Sequence, residues 1–354
     1  VLPIVLWRGL DPRKIGPVAA YVLVALTAGL FGTSLPGLTV SQTATSIATL
    51  SLAWIVFSVH WEWQRDRGLL KVLALTPAVT LAASAVLHVV SGLQLTTATH
   101  PVRLEGATLA AWLATVSLAA TLSCLALFGR DRWRWSVPLA VLNLALLCAT
   151  FTRGALLALL LATSPAIVRF ARRRVAGQGL RLFAIALVAL GAVIVLAPGV
   201  RERDAQATTH SVGGAGQHDL TSGRLRAWHF AYEQAKVNLL FGRGVGAGPV
   251  AGRSPGSPAG FVAQHNEYVR MLLEGGAVGA LILLASMVAA VAACIRRAPS
   301  MMRSDLAAAG VAMAVYSITE NTLSALPLAV ALLLYIAIAG SESRHRRGEL
   351  HGAT

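Results

Sequence analysis

Long apolar runs separated by short polar breaks dominate the chain. A helix needs about 20 apolar residues to cross the hydrocarbon of a bilayer. Ten runs approach that length, at 15–32, 40–60, 72–92, 104–129, 136–152, 153–172, 180–200, 276–297, 304–320 and 326–341. Val1 to Trp7 is apolar but too short to span, and reads as the tail of a helix that starts earlier. The pattern predicts an all-α, polytopic integral membrane helix bundle, with about 12 spans in the parent chain and about 10 complete here plus the N-terminal fragment. The 136–172 stretch is interrupted only by Thr150, Thr152 and Arg153. An arginine at the bilayer centre is costly, so a tight hairpin with Arg153 at its turn is expected. The outer loops 33–39 and 93–103 are short, whereas 201–262 is long and polar. This divides the chain into N-terminal transmembrane helices (1–200), an extracytoplasmic loop with an amphipathic helix (201–275), and C-terminal transmembrane helices with a basic tail (276–354).

Composition supports that reading. The 354 residues are 56% hydrophobic and 13% charged, with a mean hydropathy of +0.66. The net charge of +15 does not point to nucleic acid, because the basic residues fall in short clusters between apolar runs. Twenty of the thirty Lys and Arg residues lie on alternate loops of one side, including Arg130, Arg132 and Arg134 and the run Arg172-Arg173-Arg174. That side is therefore cytoplasmic. Trp61, Trp63, Trp133 and Trp135 sit among those clusters, at the depth interfacial tryptophans prefer. Cys124, Cys148 and Cys294 all lie inside apolar runs and offer no disulfide framework or metal spacing.

The long loop carries most of the candidate chemistry. Its start, Arg201 to Gln217, is rich in Gly, Thr and Ala and reads as mobile. Thr221-Ser222 can cap a helix to about Val237, with Leu225, Trp228, Tyr232 and Ala235 on one face, lying on the membrane or the bundle. The glycines from Gly242 to Gly248 would stop that helix and let backbone approach a ligand. No strand precedes them and no Gly-Lys-Ser/Thr closes them, so nucleotide chemistry is not supported. Gln264-His265-Asn266-Glu267-Tyr268-Val269-Arg270 then leads straight into the 276–297 run. Helical spacing groups His265, Tyr268, Val269 and Leu272 on one face, and Glu267, Arg270 and Glu274 on another where they can pair. His265 is open to three readings: a satisfied helix-start histidine, a general base, or a metal ligand with His210, His218 and His229. Arg153, between apolar runs, and Arg224, opposing the positive end of a helix dipole, suit an anion. Arg201, Arg203 and Arg243 rank behind them, and Glu320 could orient His265 or an arginine.

His265-Asn266, nine residues, then Gly276-x-x-Gly279 resembles the signature of the O-antigen ligases, within the larger family of O-antigen polymerases and protein O-oligosaccharyltransferases. Ser222-Gly223-Arg224-Leu225-x-x-Trp228, Leu240-Phe241-Gly242-x-Gly244-x-Gly246 and Thr152-Arg153-Gly154-Ala155 resemble further parts of that pattern, with Thr152 where serine is commoner. The resemblance implies a metal-independent, inverting glycosyltransferase of the Gram-negative inner membrane, without a cofactor and with its site facing the periplasm. It would move O-antigen polysaccharide from undecaprenyl pyrophosphate to a sugar hydroxyl of lipid A core. His265 would act as base, and Arg153 and Arg224 would bind the donor's pyrophosphate, with Asn266, Tyr268, Arg243 and Glu320 as possible supporting residues. The rival from another class is a lipid-linked glycan transporter, for which midplane charges and internal repeats are expected and not seen.

Overall fold

The computed structural model describes residues 8–32, 34–97, 100–105, 108–172, 224–258 and 265–341. The predicted span 180–200, the 201–217 segment, the Thr221-Ser222 cap, Arg201, Arg203, His210, His218, the N-terminal fragment and the basic tail lie outside these residues. Among the described residues there are eleven helices: α1 (Gly16–Phe31), α2 (Val40–Ser58), α3 (Trp63–Ser91), α4 (Ala110–Asp131), α5 (Ser136–Ala149), α6 (Arg153–Arg172), α7 (Arg224–Lys236), α8 (Ala247–Gly252), α9 (Glu267–Arg297), α10 (Ser300–Tyr316) and α11 (Leu326–Ala339). The loop after α3, short in the sequence, contains a two-stranded antiparallel ribbon, β1 (Thr96–Thr97) with β2 (His100–Leu104). Its β-branched residues favour extended backbone.

Helices α2, α3, α4 and α9 are long and apolar enough to cross a membrane, and α1, α5 and α11 are shorter apolar helices. Their outward faces match lipid rather than water. Leu26 and Leu30 of α1 are exposed, as are Val72, Val79, Val86, Val89 and Val90 of α3, contiguous apolar surface that hydrocarbon tolerates and water does not. The protein is therefore a multi-pass membrane protein. Helix α3 starts earlier than the apolar run at 72, because the Asp66 carboxylate accepts the Glu62 N–H at 2.8 Å and satisfies an orphan donor of the first turn.

The described residues fall into two compact units. The second lies within Val59–Ala197, Ala292–Val315 and Val330–Thr354. There α4 packs against α3 and α5 with most of its length buried. Three of its hydroxyls bond along their own helix: Thr115 donates to the Ala111 carbonyl at 2.9 Å, Thr121 to Ser117 at 2.8 Å and Ser123 to Ala119 at 2.8 Å. Asn143 of α5 donates to the Ala74 carbonyl of α3 at 2.9 Å. Helices α5 and α6 are joined through Thr150, Phe151 and Thr152, with Phe151 in left-handed conformation (φ 49°). The break expected here is present as this three-residue connection, and Arg153 is the first residue of α6 rather than part of the turn.

The first unit lies within Val1–Ser58, Pro198–Val291 and Tyr316–Ala329. Its centre is a break in α9, where Gly276 adopts φ 62°, ψ −169°. Such a break strands carbonyls on one side and amides on the other. The loop after α7 satisfies both: the Arg243 and Gly244 N–H groups donate to the Leu273 and Glu274 carbonyls at 2.7 and 3.0 Å, and the Ala277 and Val278 N–H groups donate to Leu239 and Leu240 at 2.8 and 3.1 Å. A Cβ on Gly242 would come within 2.5 Å of the Gly276 nitrogen, and one on Gly276 within 2.3 Å of the Leu240 carbonyl oxygen. These glycines thus bring two stretches of backbone together, and Gly242 serves this docking rather than the close approach to a ligand expected of it. Gly275 and Gly279 let Val24 of α1 lie against α9, a small-residue contact of the kind that packs membrane helices.

Helix α7 also departs from expectation. It buries Ala231 and Ala235 against Leu35, Leu273 and the alanines of α8, and Ala227 is buried too, while Leu225 and Tyr232 are exposed and Trp228 is half-buried. Alanines permit the closer backbone approach, so the bulkier face turns outward.

Candidate active site

At the entrance to α9, Asn266 is a helix cap. Its Oδ1 accepts the Tyr268 and Val269 N–H groups at 3.0 and 3.1 Å, the bonding that makes asparagine a preferred N-cap. His265 therefore precedes the helix and does not share its face with Tyr268, Val269 and Leu272 as periodicity suggested. It adopts φ 50°, a left-handed conformation that a non-glycine residue holds at a cost and that functional sites tend to accumulate. The conformation places the imidazole beside the turn between α10 and α11.

That turn presents Glu320, almost completely buried. One carboxylate oxygen lies 3.4 Å from His265 Nδ1 and the other accepts from Arg224 Nη2 at 2.9 Å. Arg224 Nη1 also donates to the Thr319 carbonyl. The positive charge at the start of α7, unfavourable against the helix dipole, is thus met by a carboxylate of the protein itself. Burial alone would raise the Glu320 carboxyl, but the hydrogen bond from His265 and the charge of Arg224 hold it below the ordinary glutamate range. An ionised Glu320 can only accept, so a neutral His265 bonded to it holds its proton on Nδ1 and its lone pair on Nε2, the arrangement of a positioned general base. The imidazole is 37% exposed and the Arg224 side chain 26%, so both can meet a substrate.

Residues 267, 270 and 274 pair as their spacing predicts. Arg270 Nε donates to Glu267 Oε2 at 2.6 Å, and its Nη1 donates to Glu274. The Gly248 N–H donates to Glu274 Oε1 at 3.2 Å. Buried charges of this kind persist only when each finds a partner.

The other candidates are placed elsewhere. Arg243 is buried, and its Nη1 donates to the Gln234 carbonyl at 3.2 Å. This is the last turn of α7, the end opposite Arg224, where a cation complements the dipole; burial pushes its guanidinium below the ordinary arginine value. Tyr268 is half-buried in the first turn of α9. His229 is exposed and lies 3.6 Å from Glu233 on α7. Arg153 is exposed at the first residue of α6, in the second unit. The structure thus brings together His265, Glu320 and Arg224, three residues separated by up to 96 positions. Sequence reasoning missed the cap that turns His265 out of the helix, although an asparagine before an acidic residue and an apolar run is a helix-start signal.

Residues 138–284 match the protein-family model described as O-Antigen ligase. The match contains Arg153, Arg224 and His265 and stops short of Glu320 and its turn. No curated protein matches the chain.

Proposed function

From a chain whose residues 138–284 carry a domain of the O-antigen ligase family, we propose that the protein transfers O-antigen polysaccharide from undecaprenyl pyrophosphate to a sugar hydroxyl of lipid A core, at the periplasmic face of a Gram-negative inner membrane. The family includes O-antigen ligases and polymerases, and so carries glycan transfer from a lipid-linked donor. The observation that carries the finer reading is the convergence of a half-exposed imidazole, its carboxylate partner and an arginine in one cluster.

In this mechanism Nε2 of His265 takes the proton of the acceptor hydroxyl while that oxygen attacks the anomeric carbon of the donor sugar. The bond from that carbon to the pyrophosphate oxygen breaks, and undecaprenyl pyrophosphate leaves with the electron pair. Glu320 stabilises the imidazolium that forms. Arg224 uses two N–H donors on Thr319 and Glu320, and a guanidinium carries five. The remainder can meet the charge that develops on the leaving pyrophosphate. By the family resemblance Arg153 is the second pyrophosphate ligand. The donor arrives already activated, so the reaction calls for neither nucleotide nor metal.

Reconstitution with lipid-linked polysaccharide tests this directly. Lipid A core offered as acceptor should receive the glycan, and a second lipid-linked donor offered in its place should not. Transfer to the second donor instead would make the protein a polymerase of the same family. Inhibition by chelators that zinc reverses would overturn the metal-free mechanism.

A further inference from the structure

We propose that Glu267 is a positioning residue for the His265–Glu320 pair, because it grips both ends of the turn that presents Glu320. The inference rests on the reading of His265 as base. Glu267 follows the His265-Asn266 pair directly and is fully buried. Its backbone N–H donates to the Ser317 carbonyl at 2.9 Å, where the turn leaves α10. Its Oε1 accepts the Leu323 and Ser324 N–H groups at 2.9 and 2.7 Å and the Ser324 hydroxyl at 2.9 Å, where the turn approaches α11. Glu320 lies between these two anchor points. The Ser317 and Thr322 hydroxyls bond to each other across the same turn. One residue thereby fixes the carboxylate of the pair relative to the backbone that carries its imidazole.

A carboxylate is required at this position, because both oxygens face donors. Oε1 serves the turn and Oε2 accepts from Arg270 at 2.6 Å. A glutamine has one acceptor oxygen. Whichever way its amide is turned, donors would face donors either at the turn or at Arg270. Among the described residues, Glu320 from the turn faces His265, and Arg224 from α7 pairs with that same carboxylate, while Glu267, Tyr268 and Arg270 follow on α9.

The test combines a double-mutant cycle with NMR of the His265 imidazole in the detergent-solubilised full chain. Glu267→Gln should lower kcat about ten- to a hundredfold, the cost of a small misplacement of a reacting group, with little change in KM. The Glu267→Gln/Glu320→Gln double variant should be no slower than Glu320→Gln alone, because residues that act through one another are not additive. Additive losses would overturn the proposal. NMR of isotope-labelled imidazoles, with the His265 signal assigned by its loss in His265→Gln, should show the Nδ1–H resonance, which reports the hydrogen bond to Glu320, displaced in the same direction in Glu320→Gln and Glu267→Gln. A resonance displaced by the first variant and not by the second would also overturn it. This readout needs no glycan transfer, so an inactive protein with a coupled resonance refutes the functional reading and leaves the positioning role standing. Ser324→Ala, which removes a single hydroxyl donor from the grip, is the milder variant if Glu267→Gln does not fold; a smaller shift in the same direction is expected, and no shift counts against the proposal.

Discussion

Helix α4 and the mouth of α9 both bury polar side chains, and they satisfy them in opposite ways. In α4 the hydroxyls of Thr115, Thr121 and Ser123 each bond a carbonyl four residues back. Nothing outside the helix is needed, so such residues fill a membrane helix without committing it to a neighbour. At the mouth of α9 the buried groups are charged, and several of their partners are remote: Glu267 with Leu323 and Ser324, Glu320 with Arg224 and His265. Each remote bond ties together segments whose association local sequence does not dictate. Desolvating a charge costs far more than desolvating a hydroxyl, so a chain that buries several at one place holds that place in a single arrangement. The contrast predicts that substitutions at the mouth of α9 change chemistry, whereas equivalent ones inside α4 do not.

The largest effect is expected at His265. His265→Ala should abolish measurable transfer, at least about 10²- to 10⁴-fold, while the protein still inserts and elutes as a folded species. Normal turnover by a well-expressed variant would remove the base assignment. Arg224→Ala should come next, weakening use of the pyrophosphate donor, with Arg224→Lys rescuing poorly because an ammonium cannot hold Thr319 and Glu320 in the same fork. Arg153→Ala should show the same donor dependence in a single-turnover assay. A loss confined to acceptor affinity would remove either arginine from the donor site.

Much of this was legible in the linear pattern, and what was not has a common cause. Bilayer thickness imposes a run length, so most helices stand where the apolar runs are, and Arg153 falls at a helix end because a midplane charge is costly. The pairing of Glu267, Arg270 and Glu274 follows from helical spacing alone. Local pattern failed where a contact crosses the chain. Gly242 reads as a place for a ligand until the stranded carbonyls of Leu273 and Glu274 reveal what the loop approaches. Helix α7 shows a bulky apolar face, yet packs through its alanines because neighbouring alanines on α8 admit them. Glu320 could be proposed as an orienting acid, but its simultaneous grip on Arg224 and His265 is a property of the turn's position.

Acid should expose a smaller effect at the same turn. Glu320 is held below the ordinary glutamate range, which is about 4.3. A carboxylate depressed in the folded state adds stability that is fully present above its unfolded value and is lost as the pH falls through the folded one. Thermal unfolding in detergent should therefore show wild type more stable than Glu320→Gln at neutral pH. That difference should shrink only below about pH 4.3. A difference that instead grows on acidification would mean that the carboxylate destabilises the turn it occupies.

The smallest effect belongs to α4. Ser123→Ala removes a buried hydroxyl together with its bond to the Ala119 carbonyl, and that carbonyl remains within the helix's own ladder. A polar contact inside a membrane bundle contributes about 0.6 kcal/mol on average, and a bond made within one helix fastens no other element. The variant should unfold within that margin of wild type and transfer glycan at an unchanged rate. If Ser123→Ala were instead as damaging as Glu267→Gln, burial alone would explain sensitivity. The distinction between bonds that stay within a helix and bonds that join distant segments would then lose its value for locating the site.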